Sequence, residues 1–416
     1  MELRMKKVSL IAAAVATTLA AGSAFAVDFN GYMRAGTGIS GNGNGDVSVN
    51  KNGIGRLGNE NDNYSEFGLA EELKTGEQTW RVESMIASGA PGANGWEDSD
   101  FNVAQFAVKA KGVLSFDQEA TLWAGKTYYQ RKDIHITDFY YLNTSGTGGG
   151  VENISIGDQK LSVALIQDGD TDDSTGYIFD ARLANIGLWQ DASLEFALAY
   201  NFATDSNDAS ESADDGLLAS AILHQGTSNG FHQTVLQYGT NGYGVQAANF
   251  WGSGSYYARG TDAFNDASGF RLINWGVMNL GESWEMGHQL AYLAGSDIGG
   301  QIGGDGADSS NATGKTFDID QYSAVVRPMY KWNDTMRTIF EAGYNAGEKI
   351  SDGGLAKEDF GNAKFTVAQA WAMGDSFWAR PEIRVYGSYI LDTENKEAFN
   401  GDDTEYVFGI QAEAWW

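Results

Sequence analysis

An all-β transmembrane antiparallel barrel of about 18 strands is the fold this sequence predicts, on three observations. Segments of roughly 8–12 residues alternate apolar and polar side chains, as half-buried strands do. Polar, glycine-rich stretches separate them, some long and some very short, as a barrel with long loops on one rim and tight turns on the other requires. No segment past the N-terminus reaches the roughly 18 consecutive apolar residues of a membrane helix. Barrels instead satisfy their backbone between strands and need only one apolar face.

The chain opens on "MELRMKKVSLIAAAVATTLAAGSAFA". A basic start (Arg4, Lys6, Lys7), an apolar run and the small-residue signal "AFA" read as a secretory signal peptide over residues 1–26. Cleavage after Ala26 leaves residues 27–416 as a single barrel domain. At about 20 residues per strand with its share of connections, that length divides into 18–20 strands, and an even 18 is the expectation. There are no cysteines, so an exported chain of this length must rely on a large core or a closed sheet. The 54 glycines against three prolines fit many strands and turns.

In order, the alternating segments are "VDFNGYMRAGTG", "QKLSVALIQ", "ASLEFALAY", "HQTVLQYG", "QYSAVVRPMYKW", "TIFEAGYN", "AKFTVAQAWAM", "PEIRVYGSYIL" and the terminal "EYVFGIQAEAWW". Between them "GTGISGNGNGDVSVNKNG", "ATDSNDASESADDG" and "GSDIGGQIGGDGADSSNATGKT" read as loops, too polar to build a core. There is no helical periodicity, no repeat of fixed length and no second domain.

Strand phase separates the two faces. In the last segment Tyr406, Phe408, Ile410, Ala412, Ala414 and Trp416 share a wholly apolar face suited to lipid, with aromatics at both ends as interfacial anchors. Val407, Gly409, Gln411, Glu413 and Trp415 share the other, suited to a watery lumen. At the mature N-terminus Tyr32 and Arg34 are in phase with Asp28 and Asn30, opposite Phe29 and Met33. First and last strands of a closed barrel pair, which would make Tyr32 and Trp415 neighbours inside. Trp378 is in phase with Arg380, Glu382, Arg384, Tyr386 and Ser388, with Phe377 and Ile383 opposed. Phe231 is in phase with Gln233 and Gln237, and Tyr64 with Glu66.

Several rings therefore stand among charges on the inner wall. A pyranose has an apolar face and a hydroxyl rim, so rings and charged groups on one wall suit a sugar path. The same rings also suit a plug, or packing beneath loops. Alternation alone does not choose between these.

Charge and motifs narrow the classes. A formal net charge of −28 argues against nucleic acid or an anionic lipid surface as partner. The four histidines, His135, His224, His232 and His288, fall in no catalytic motif such as H-E-x-x-H, so no enzyme is expected. The acidic loop "GGDGADSSN" lacks the calcium-loop spacing, so no metal or other cofactor is expected. The sequon at Asn311 is a chance match in a bacterial barrel.

Longer stretches are specific enough to resemble a family. "VDFNGYMRAG", "RLGNENDNYSEFGL", "LWAGKTYYQRKDIHITDFYY", "VENISIGDQKLS", "RPMYKW", "AQAWAMGDSFWARPEIRVYGSYI" and the terminal tryptophan pair run nearly end to end. They are similar to the maltoporins, trimeric 18-stranded maltodextrin channels of the bacterial outer membrane. The resemblance implies facilitated diffusion of maltose and maltodextrins along an aromatic "greasy slide", here Tyr32, Tyr64, Trp96, Phe231, Trp378 and Trp415. Trp96, in "NGWEDSD", reads as a loop residue, and only the resemblance places it on the slide. An accompanying ionic track would be Arg34, Arg56, Glu66, Arg131, Asp133 and Asp138, with Tyr140 at a constriction on an inward-folded loop. "QRKDIHITDFYY" agrees with such a loop: Arg131 and Asp133 are out of phase with Asp138 and Tyr140, which breaks strict alternation.

Two departures from the family pattern bear on this. Asn102 stands where the track has a further arginine, and the first loop lacks the family's cysteine pair. Its expected state is looser, or held by hydrogen bonds alone. A porin for another oligosaccharide (sucrose, β-glucosides), a general diffusion porin, and an adhesin or enzyme on a barrel remain the alternatives.

Overall fold

The computed structural model describes residues 27–43, 47–90, 101–168, 176–203, 213–250, 257, 262–298, 316–351 and 356–416. The expected signal peptide, Trp96 and Asn311 lie outside the described residues.

Twenty strands are described. The first five are β1 (Asp28–Ser40), β2 (Asn63–Thr75), β3 (Gln78–Ala90), β4 (Asn102–Lys111) and β5 (Thr121–Thr127). Two short strands follow, β6 (Lys132–Ile134) and β7 (Phe139–Leu142). Then come β8 (Gly146–Ile156), β9 (Gln159–Asp168), β10 (Gly176–Trp189), β11 (Ala192–Ala203), β12 (Gly216–Thr227), β13 (Gly230–Thr240) and β14 (Ser268–Asn279). The last six are β15 (Trp284–Ile298), β16 (Phe317–Lys331), β17 (Met336–Ser351), β18 (Ala356–Ala372), β19 (Glu382–Asp392) and β20 (Thr404–Trp415).

Eighteen of these form one antiparallel sheet in which each strand pairs with its neighbour in sequence, β5 pairing with β8. The sheet closes because β20 pairs with β1, placing Tyr32 opposite Trp415 and Arg34 opposite Glu413. Closure leaves no free edge, so backbone groups are satisfied strand to strand, as a membrane requires.

The two rims differ as the turn chemistry dictates. Connections of two residues, such as Gly76–Glu77 and Gly157–Asp158, close hairpins on one rim. Gly76 (φ +58°) and Gly157 (φ +62°) supply the left-handed conformation that two-residue hairpins demand. Long connections stand on the other rim, and 47–62, 128–145 and, among the described residues, 241–250 fold back into the barrel. Ile54, Leu57, Ile134, Phe139, Tyr141 and Tyr243 pack there against Ile178, Val235 and Ile273 of the wall, all fully buried. The interior is thus a packed mass around a passage. The infolded segment 128–145 is the inward loop that the family resemblance implies and broken alternation agrees with, and it carries the β6–β7 pair.

The outer face is the apolar one. On β20 Phe408 is 63% exposed, and Trp416 just past its end 44%, whereas Val407 and Glu413 are buried. Exposed Tyr238, Tyr292, Tyr322 and Tyr344 lie toward the long-loop rim, and Trp284 and Trp332 at the short-turn rim, as two aromatic girdles do.

Three expectations need correction. The stretch beginning at Gly36 is not loop from its start, because β1 runs to Ser40; likewise β15 runs to Ile298 through "GSDI". Pairing with β20 extends β1 through apolar Ile39, opposite Phe408. Trp378 is not on a strand, since β19 begins at Glu382. Phe377, assigned by phase to the lipid side, is buried inside, in the same cluster as Ile136 and so near Gly287 that a Cβ there would meet its ring at 2.8 Å. Two-fold alternation fails there because residues 373–381 form a turn.

Candidate functional site

A cavity of about 420 Å³ lies where the infolded segments meet the wall formed by β1, β2 and β20. Ten of the thirteen residues singled out in the sequence line it: Tyr32, Arg34, Arg56, Tyr64, Glu66, Arg131, Asp133, Asp138, Tyr140 and Trp415. His135 and Asn143 complete the lining.

The strand register builds one side. Arg34 lies opposite Tyr64, and Tyr32 opposite Glu66, so inward positions of β1 and β2 alternate ring and charge across the seam. The Tyr32 and Tyr64 rings are 6.1 Å apart. The Arg34 guanidinium lies 5.0 Å from the Tyr64 ring centre. It is held there by a bidentate pair to Asp62 at 2.8 and 2.7 Å. Tyr32 donates its hydroxyl to Glu413 at 2.9 Å and accepts from Arg56 at 2.9 Å. Tyr64 and Tyr128 both donate to Oε1 of Glu66, at 2.7 and 2.9 Å.

The infolded segment 128–145 builds the other side. Arg131 lies between two tyrosines, its guanidinium 3.8 Å from the Tyr128 ring centre and 4.8 Å from that of Tyr140. Such stacking orients the cation while leaving its in-plane N–H donors toward the cavity. Asp133 opens onto the lumen water yet is walled in by protein. That enclosure raises its carboxyl above the usual aspartate range, and the neighbouring Asp138 charge pushes the same way. Asp138 pairs with Lys51 of the first infolded segment at 2.8 Å.

His135 sits where the two sides meet. Its ring centre is 5.4 Å from that of Trp415, edge-on, and 5.6 Å from that of Trp378. Its nitrogens face Arg56 at 3.4 Å and Arg380 at 3.2 Å. Burial holds its pKa well below the ordinary histidine value; the two guanidiniums add to this and Glu413 opposes it. Arg380 lies 4.4 Å from the Trp415 ring centre and pairs with Glu413 at 2.8 Å. Trp378 therefore reaches the passage from its turn, beside His135, without lining the cavity itself.

Phe231 stands apart, at the start of β13, edge-on to Trp275 at 5.3 Å. Asn102 is the exposed first residue of β4, opposite Ala87, away from the cavity lining. The first infolded segment, which has no cysteines, is held by hydrogen bonds: Leu57 N–H to Glu341 at 2.9 Å, and the Gly58 carbonyl from Ser388 at 2.9 Å.

Sequence reasoning missed His135, Tyr128, Lys51 and Asp62 as parts of the site. His135 and Tyr128 lie in the same "TYYQRKDIHITDFYY" run as Arg131 and Asp133, and that proximity was the available signal. Among the described residues no group of three or more metal-binding side chains occurs. What the arrangement offers is a row of rings edged by fixed charges, with no nucleophile–base pair.

Comparison with known proteins is consistent along the whole barrel. A family model described as LamB porin matches residues 27–416. The chain is 81% identical to a protein named maltoporin from Vibrio cholerae serotype O1, over 100% of both chains. It is 42% identical to a maltoporin of Photobacterium profundum, over 98% of each. Among solved structures, Pseudomonas aeruginosa OpdQ covers 94% of this chain with 99% of its own, at a TM-score of 0.52 and 10% identity. That likeness concerns the fold alone.

Proposed function

The chain belongs to the LamB porin family, an outer-membrane β-barrel channel family, and from that premise we propose that it passes maltose and maltodextrins by facilitated diffusion. The observation that carries this reading is the juxtaposition of Tyr64, Tyr32 and Trp415 with Arg34, Arg56, Arg131, Glu66 and Asp133 around one cavity. The relatives described above carry the name maltoporin, which agrees with it.

In this reading the sugar's apolar face passes from ring to ring by van der Waals contact, each worth about 0.5–1.5 kcal/mol. Its hydroxyls exchange water for the fixed charges at the edges, so little desolvation cost accumulates. Arg131, oriented by two rings, donates to hydroxyls as they pass. Many weak, similar contacts allow movement where one tight site would trap the solute. No covalent step and no energy input are involved. Trp96 would extend the slide at the outer mouth, Trp378 and Phe231 toward the short-turn rim. We propose further that the working unit is a homotrimer.

The test is reconstitution in a planar bilayer with maltooligosaccharides, sucrose and cellobiose titrated while current is recorded. Maltohexaose should block the ion current at millimolar levels, and more tightly than the other two. Absence of that block sinks the maltodextrin reading; tighter block by sucrose or cellobiose reassigns the sugar.

A further inference from the structure

Three charged side chains sit buried in the barrel wall on consecutive strands. They are Arg327 on β16, Glu341 on β17 and Lys364 on β18, all less than 5% exposed. Arg327 Nε bonds Glu341 Oε2 at 2.6 Å, and Lys364 Nζ bonds Glu341 Oε1 at 2.6 Å. Removing charges from water costs several kcal/mol per ion, and apolar residues of similar volume close a wall at least as stably. Barrel stability alone therefore does not account for the triad.

Its other hydrogen bonds point to a use. Arg327 Nη2 donates to the Ile136 carbonyl at 3.0 Å. Glu341 Oε1 accepts the Leu57 N–H at 2.9 Å, and Lys364 Nζ donates to the Leu57 carbonyl at 2.6 Å. Apart from one bond of Lys364 to Thr366 at 3.3 Å, these go to the backbones of the two infolded segments. Each gripped residue follows a cavity residue directly: Leu57 follows Arg56, and Ile136 follows His135. The segments also bond each other, Arg56 N–H to the Ile136 carbonyl at 3.0 Å. The fit at Gly55 is close. Its φ is +94°, and a Cβ there would stand 2.3 Å from Glu341 Oε1.

We propose that Arg327, Glu341 and Lys364 are positioning residues for passage, one three-charge clamp that sets the infolded segments against each other and thereby fixes where Arg56 and His135 stand in the cavity lining. The clamp converts wall geometry into lumen geometry, since fixed backbone atoms leave adjacent side chains little freedom. This rests on the channel reading and not on the identity of the sugar.

Two variants test it, measured in the full barrel. Glu341→Gln removes the central charge. Gly55→Ala leaves all three charges and the wall intact and drives the first segment off Glu341. Both should keep the heat-modifiable folded band of the barrel. Both should show larger single-channel conductance, greater open-channel noise, and sugar block weakened roughly tenfold, equivalent to about 1.4 kcal/mol. Gly55→Ala with wild-type conductance, noise and block overturns the inference, whether or not Glu341→Gln folds. If the wild-type channel shows no sugar block, the sugar reading fails while conductance and noise still decide on the clamp.

Discussion

Arg131 shows how a single side chain acquires its role from its neighbours. Among the described residues it makes no ion pair, and two tyrosine rings hold it instead. A guanidinium so placed keeps donors for a passing hydroxyl, where one committed to a carboxylate would not. Trp378 presents a ring in the same region, 37% exposed beside His135. Trp378→Ala should weaken maltohexaose block about fivefold, the equivalent of about 1 kcal/mol of lost ring contact. Unchanged block in current titrations would remove Trp378 from the slide. Asp133, on the infolded segment, has a raised pKa from its walled-in position and from Asp138. Its charge is present above that raised value and is lost as pH falls through it. Cation preference, read from reversal potentials in a KCl gradient, should therefore drop on acidification above the ordinary aspartate range. Asp133→Asn should lack that step. The linked effect on stability has the sign of a raised acid: ionisation disfavours the folded segment, which weakens as pH rises through the window.

At the scale of the strand, the rule that matters is which face meets lipid. Most outward positions are apolar, yet β13, β14 and β15 bring Thr234, Asn274 and His288 together on the outer side. Asn274 donates to Thr234 at 3.0 Å and faces His288 Nε2 at 3.0 Å. His232 lies alongside, its ring centre 5.3 Å from that of His288. His288 Nδ1 is buried with no hydrogen-bond partner. An imidazole in the apolar band with an unsatisfied nitrogen costs free energy. His288→Leu should therefore raise stability by about 1 kcal/mol, seen as a higher urea midpoint. A lower midpoint would mean that protein, and not lipid, covers this face. The seam strands make the complementary case. Gly31 is required there because a Cβ would meet the Trp416 ring at 2.5 Å. The Trp416 ring in turn lies tilted against those of Phe29 and Phe67, at 5.5 and 6.1 Å between centres, which covers the outer surface where β20 meets β1.

For the whole molecule, an acidic chain of 416 residues without cysteine is held by closure of 18 strands and by loops tied into the lumen. The first infolded segment has no covalent tie. The wall instead grips its backbone through Glu341, Lys364, Thr366 and Ser388. At this scale the expectation is processing and assembly: the protein recovered from outer membranes should begin at Val27. Native mass spectrometry should report three such chains. N-terminal sequencing that finds residues 1–26 retained would reject the signal peptide, and a monomer mass would reject the trimer.

The sequence by itself determined the barrel, its strand count and the faces of the wall strands. Period-two alternation is a local property, and one buried side per strand makes it visible. It also placed Tyr32 beside Trp415, since closure must pair the first strand with the last. Tertiary structure alone decided what the infolded segments do. Phase does not extend through a turn, which is why Phe377 is inside and Trp378 reaches the passage from residues 373–381. The place of His135 between Trp378, Trp415, Arg56 and Arg380 arises from contacts between residues far apart in the chain. So does the clamp of Arg327, Glu341 and Lys364 on Leu57 and Ile136. Alternation marks a charge as inward-facing; only the folded chain determines whether it meets a solute or the backbone of a loop.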